Sequence, residues 1–148
     1  MNFIEIYKVD HDICDKIIDV FWKHKDHHVE GIVGHGNVDK KIKDSIDLYI
    51  SHKSIKALGN FEKALVDSAT KYFNKYIIKE QRWEIEMDED FNIQYYKPNM
   101  GYPQPHFERT GYIARNRALV WMLYLTDTPN AGTHFTYQKH TTECVKGD

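Results

Sequence analysis

The chain has 148 residues, with 20 Lys and Arg against 22 Asp and Glu and a formal net charge of −2. That length suits one domain able to bury about 70% of its unfolded surface, and the near-neutral balance lacks the basic excess of a nucleic-acid binder. The apolar fraction of 41% is lean, but 14% aromatic residues supply large buried areas.

No apolar run reaches the roughly 18 residues of a membrane span. The N-terminus MNFIEIYKVDHD has neither the basic start nor the long apolar core of a signal peptide. Cys14 and Cys144 are far apart and suggest no disulfide framework. The expectation is a soluble, cytoplasmic domain without nucleic-acid or membrane partners.

Phe3-Ile4-Glu5-Ile6-Tyr7 is β-prone with a partial alternation, which predicts a short strand. Asp10 or Asp12 then caps a predicted helix to about His24, with Ile13, Ile17, Val20 and Phe21 in one apolar stripe. Between Asp26 and Lys43 the chain turns polar, with Gly31, Gly34 and Gly36 among many charges, and reads as a surface loop. Ser45 to Ile50 is predicted to be extended. The strongest helical pattern runs from about Ser54 to Ile78, where Leu58, Phe61, Leu65, Ala69, Tyr72, Phe73 and Tyr76 recur at three and four residues. Gly59 is a candidate break. Core packing is the plainest use of this stripe.

From Arg82 onward the predicted elements are strands: Trp83–Met87, Phe91–Tyr96, Ala118–Leu125, Thr133–Tyr137 and Thr141–Val145. Turn signals at Asp88–Asp90, Lys97–Gly101 and Asp127–Asn130 separate them. Helices first and strands afterwards indicate an α+β class, a single domain over 1–148 with 1–80 mostly helical and 81–148 built of strands.

Nine histidines are many for this length. His11, His24, His27, His28, His35 and His52 lie in polar helical or loop contexts, and the His27-His28 pair reads as a solvated face. His106 differs. It follows a turn rich in Pro and Gly, within Tyr102-Pro103-Gln104-Pro105-His106-Phe107-Glu108. In an extended segment residues i and i+2 share a face, so His106 and Glu108 can offer an imidazole and a carboxylate to one ion, with Phe107 turned the other way into packing. These are two-thirds of a 2-His-1-carboxylate facial triad, which leaves open positions on Fe(II). Alone, the H-x-E pair is a weak signal that a loop histidine beside a surface glutamate also explains.

The surrounding order adds to it. Gln94-Tyr95-Tyr96-Lys97-Pro98 precedes the pair, and the run from Arg117 to Asp127, containing Trp121-Met122-Leu123-Tyr124-Leu125, follows it. Ala131-Gly132-Thr133-His134-Phe135 and Val145-Lys146-Gly147-Asp148 come next. This order resembles the iron(II)/2-oxoglutarate-dependent oxygenases of the prolyl 4-hydroxylase-like group, small versions of which are encoded by phages and marine bacteria. The resemblance covers roughly Gln94 to Asp148.

It implies a double-stranded β-helix (jelly-roll) core with supporting N-terminal helices. It also implies a dioxygenase that uses Fe(II) and 2-oxoglutarate, with ascorbate as a further cofactor of the class. Such an enzyme hydroxylates a prolyl or other residue of a peptide, or a small molecule, and releases succinate and CO2. By the same resemblance His106 is the proximal iron ligand and Glu108 the carboxylate ligand. Tyr124 matches a position whose hydroxyl bonds the far carboxylate of 2-oxoglutarate, and Tyr96 and Tyr102 match aromatic positions lining the pocket.

Three departures accompany the match. Glu108 stands where Asp is commoner. His134 stands where Gly-Gly-x-Thr-Glu is frequent, as a pocket or supporting residue and not an iron ligand. The distal histidine and the 2-oxoglutarate-binding cation of the family follow the K-x-G turn, where this sequence ends at Lys146-Gly147-Asp148, and His140 comes too early to replace them. The expectation is therefore a domain given without its last strands and third metal ligand. Two other readings stand beside it. One is a non-catalytic jelly-roll relic or interaction module, dimerising through an open edge. The other is a zinc or cupin-type site using His106, Glu108 and either His134 or His140.

Overall fold

The computed structural model of the protein describes residues 2–77, 90–109, 111–112 and 114–148. Helix α1, His11–Lys23, follows Asp10 as N-cap residue. Asp12 in its first turn and Lys23 in its last complement the helix dipole. Its inner face is Ile13, Cys14, Ile17 and Phe21, the expected stripe with Cys14 added.

The main sheet is antiparallel in the order β1 (Val29–Glu30), β2 (Ile46–Ile50), β3 (Phe91–Tyr95). Leu48 pairs with Ile93 and Asp47 with Gln94. Leu48 is 4% exposed on one face of β2, and the next face along carries Asp47, with no exposure at all. Two of these three strands come from the half of the sequence expected to be helical. The stretch read as a surface loop over Asp26–Lys43 contains β1 and ends on a buried Lys43, because the lysine meets a buried carboxylate and not water.

After β2 a short 3-10 turn, His52–Leu58, ends at Gly59, whose φ of +66° breaks the helix where the sequence placed the break. Helix α2, Phe61–Tyr76, then lies across the core. Val9, Ile13, Ile17, Leu58 and Phe61 form the buried cluster, with Ile50, Phe91, Ile93, Trp121, Leu123 and Leu125 packed around it. Phe61 meets Phe91 and Trp121 edge-on, at centroid distances of 5.2 and 5.4 Å.

The second half of the α2 stripe is only half-buried. It holds the N-terminal segment instead. Tyr72 donates to the carbonyl of Phe3, and Lys75 and Tyr76 both donate to Glu5, holding its carboxyl below the usual range. The predicted strand Phe3–Tyr7 therefore does not form; these side-chain anchors, with Phe3 at a φ of +60°, hold the segment outside any ladder of the described residues.

A hairpin of β4 (His134–Phe135) and β5 (His140–Thr141) makes the second sheet. Gly132 beside it has a φ of +154°, and a Cβ there would stand 1.9 Å from the carbonyl oxygen of Thr142. Only glycine allows that approach. The predicted strand Thr141–Val145 is reduced to β5 and one bridge, Thr128 to Cys144. Ala118–Leu125 lies outside every ladder of the described residues, with Trp121, Leu123 and Leu125 packed on the core. The predicted strand Trp83–Met87 lies outside the described residues.

The architecture is thus mixed helix and antiparallel sheet, as α+β predicts. Among the described residues the strands form a three-stranded and a two-stranded sheet, and no double-stranded β-helix. Both cysteines are free, and no described helix is long and apolar enough to cross a membrane.

Candidate functional site

The turn after β3 is closed by the Met100 N–H donating to the Lys97 carbonyl at 2.9 Å, with Asn99 at a φ of +68°. The Asp44 N–H then donates to the Gly101 carbonyl at 2.8 Å, tying the turn to the segment leading into β2. Pro103 and Pro105 hold the residues before them, Tyr102 and Gln104, out of the helical region.

His106 and Glu108 face each other here, with Nε2 and Oε1 3.2 Å apart. The His106 Nδ1 lies 3.0 Å from the Gln104 carbonyl, an acceptor only, so Nδ1 carries the ring proton. Nε2 then faces Glu108 either as part of an imidazolium or as a lone pair offered to a shared cation. The Tyr102 ring stacks on the imidazole at 4.0 Å and 8°, limiting its rotation. Burial and the Glu108 charge raise the Tyr102 phenol above its ordinary range.

Glu108 has a second partner. Arg117 Nη1 donates to its carbonyl at 2.9 Å and to Oε2 at 3.2 Å, so the two carboxylate oxygens face different groups. Residues 106–109 and 117–120 line an open cleft of about 550 Å³. Phe107 does not pack inward as alternation suggested. It is 66% exposed, with Tyr137 its ring neighbour at 6.5 Å.

Near Tyr102 sits a buried polar network. Asp47 accepts from Lys43 Nζ at 2.7 Å, Ser45 Oγ at 2.7 Å and Asn92 Nδ2 at 2.9 Å. The Lys43 ammonium is also 6.0 Å from the centroid of Tyr102. Tyr96 lies against this network, and burial, followed by the Asp47 charge, pushes its phenol up to about 12. Its hydroxyl donates to Gln94 Oε1 at 2.8 Å.

The structure thus joins His106, Glu108 and Tyr102, with Tyr96 linked to them through Lys43 and Asp47. Tyr124 is engaged elsewhere. Its hydroxyl is 2.9 Å from Thr133 Oγ1 and 2.8 Å from Thr142 Oγ1, beside the hairpin. His134 bonds Thr141 Oγ1 through Nδ1 at 2.8 Å, and His140 lies on β5. Neither joins His106, and among the described residues no three His, Cys, Asp or Glu side chains gather at one point. His28, read as solvated, is half-buried against Phe21, with ring centroids 4.0 Å apart.

Two ligand atoms about 2.1 Å from one ion and at right angles stand about 3 Å apart. The 3.2 Å between His106 Nε2 and Glu108 Oε1 fits two adjacent ligands, and the Nδ1 contact to a carbonyl is the outer partner that ligating histidines use. Sequence reasoning did not select Arg117, Lys43 or Asp47. The i,i+4 spacing of Lys43 and Asp47 was visible, but nothing in it distinguishes a buried pair from two solvated charges. Comparison with protein-family models, curated proteins and solved structures finds no match to this chain.

Proposed function

We propose that the chain is an iron(II)- and 2-oxoglutarate-dependent dioxygenase domain that hydroxylates a prolyl or other peptide residue, or a small molecule, and that its strands belong to a jelly-roll core. The observation carrying this reading is the 3.2 Å approach of His106 Nε2 to Glu108 Oε1 in the wall of the cleft, which equals the separation of adjacent metal ligands. When bound, the metal supplies oxygen activation that no side chain can provide.

The chain's own residues supply geometry. Gln104 fixes the imidazole tautomer, Tyr102 fixes the ring plane, and Arg117 holds Oε2 while Oε1 faces His106 Nε2. Tyr96 stays a neutral phenol at every physiological pH because burial opposes its ionisation. Leu119 and Val120 give the cleft an apolar wall.

The test is anaerobic titration with Fe(II) and 2-oxoglutarate, followed by exposure to O2. The reading expects a metal-to-ligand absorption band and then succinate, both lost in His106→Ala. Neither band nor succinate refutes it. A non-catalytic interaction module is the second reading, supported by the presence of only two converging donors among the described residues. That reading expects no bound metal in the purified protein.

A further inference from the structure

Lys43 stands one residue before the backbone tether of the His106 turn, in which the Asp44 N–H donates to the Gly101 carbonyl. Its stem runs beside Gly31. A Cβ on Gly31 would lie 3.1 and 3.2 Å from Lys43 Cε and Cδ and 2.2 Å from Ser45 Oγ, so the missing side chain is the room the lysine occupies. The Gly31 N–H donates to the Ser45 carbonyl at 2.9 Å and holds that wall in place.

The ammonium at the end of this stem is incompletely paired. Lys43 is 4% exposed, and one of its three donors goes to Asp47. Among the described residues the other two meet no acceptor. Their electron-rich neighbour is the ring of Tyr102, whose centroid lies 6.0 Å from Nζ, the outer range of a cation–π contact, which strengthens when desolvated. Tyr102 has few other anchors. Among the described residues its hydroxyl makes no hydrogen bond, and its ring stacks on His106 at 4.0 Å. The His106 side chain is 39% exposed, so the stacked face is what opposes its rotation. Lys43, Tyr102 and His106 thus form a series from the buried network to the imidazole.

We infer that Lys43 is a positioning residue for the candidate metal site: its buried charge holds the Tyr102 ring against His106, and the ring holds Nε2 toward Glu108. Lys43 acts through Tyr102 and not on the two donors themselves. The inference rests on the proposed iron site only for what the imidazole ligates; the alignment of the rings needs no metal.

Two readouts test it on the whole chain, at low temperature and without denaturant, with circular dichroism checking that each variant is folded. The first is proton NMR of the metal-free protein in mildly alkaline buffer, where exposed imidazoles are neutral. The ring current of Tyr102 displaces the His106 ring protons upfield, and Tyr102→Leu is expected to return them downfield. Lys43→Met is expected to move them the same way. Lys43→Met/Asp47→Leu does so without leaving an unpaired buried carboxylate. Asn92→Ala removes a different partner of Asp47 and keeps the ammonium. It disturbs the same network, yet is expected to leave those protons in place.

The second readout is titration with Co(II) alone, followed by its visible absorption. Tyr102→Leu is expected to weaken binding about tenfold, the lower end of the loss for groups that orient a ligating histidine. Lys43 acts one contact further out, so Lys43→Met is expected to cost about fivefold. In the Tyr102→Leu background it is expected to cost nothing more. Additive losses overturn the inference, as does an Asn92→Ala effect equal to that of Lys43→Met. So do His106 protons that stay in place in both lysine variants. A parent chain that binds no Co(II) counts against the iron reading and not against the alignment, which the NMR then decides, so the two fail separately.

Discussion

Replacing Lys43 by Met keeps the length of the buried stem and deletes its charge. Lys43 is 4% exposed and Asp47 not at all, so the carboxylate is left in the interior without its cation. Removing one partner of a buried pair costs about 3–5 kcal/mol. Ser45 and Asn92 still donate to Asp47, which places the loss near the lower end, about 3 kcal/mol. That is a large share of the roughly 5–15 kcal/mol available to a domain. With a urea slope of about 1.5 kcal/mol per molar, the unfolding midpoint falls by about 2 M.

The double variant Lys43→Met/Asp47→Leu removes both charges and is expected to regain part of the loss. Full recovery is opposed by the Ser45 and Asn92 donors it orphans, at about 1–3 kcal/mol each. Urea unfolding by circular dichroism measures both variants. Proton NMR of the imidazole reads a further effect, because Tyr102 stacks on His106 and lies beside the Lys43 ammonium. The His106 ring protons are expected to shift in Lys43→Met. A single-variant loss below about 1 kcal/mol, a value typical of exposed pairs, refutes the buried-network account.

Two further outcomes follow from the same geometry. In an absorbance titration at alkaline pH, one of the ten tyrosines ionises near pH 12, and Tyr96→Phe removes that step. Because the folded-state value is raised, the Tyr96 contribution to stability is intact below about pH 10 and is lost as pH rises from there through about 12; a flat stability profile over that window contradicts the burial argument. Tyr124→Phe deletes the hydroxyl shared by Thr133 and Thr142 and is expected to cost about 1–2 kcal/mol, with 2-oxoglutarate affinity unchanged. A several-fold rise in the 2-oxoglutarate Kd of Tyr124→Phe would instead support the role the resemblance gives that residue.

Local signals carried the elements whose stability is local. The Ile13, Ile17 and Phe21 spacing specified α1, and Gly59 specified the break before α2, because a 3.6-residue period and a positive φ act within a few residues. The β-prone run Phe91–Tyr96, bounded by turn signals, identified β3 at Phe91–Tyr95. His106 and Glu108 were legible for the same reason: two residues apart in a Pro-restrained segment, they meet by backbone geometry alone.

Strand propensity without a partner decided nothing. Phe3–Tyr7 and Ala118–Leu125 have the composition of strands, but a ladder needs a second strand at the right distance. The first segment found the side chains of α2, and the second found the core on one face with no ladder among the described residues. Lys43 and Asp47 were two charges among 42 in the sequence. Only the tertiary structure placed them out of water behind Tyr102, and turned Arg117 toward Glu108, because burial and pairing depend on segments brought together from β2, β3 and the turn that follows. The sequence by itself determined the α+β composition, the two long helical patterns and the two-donor pair. Which strands pair, which charges are buried and what surrounds His106 were decided by chain packing, since those energies belong to contacts between segments remote in sequence.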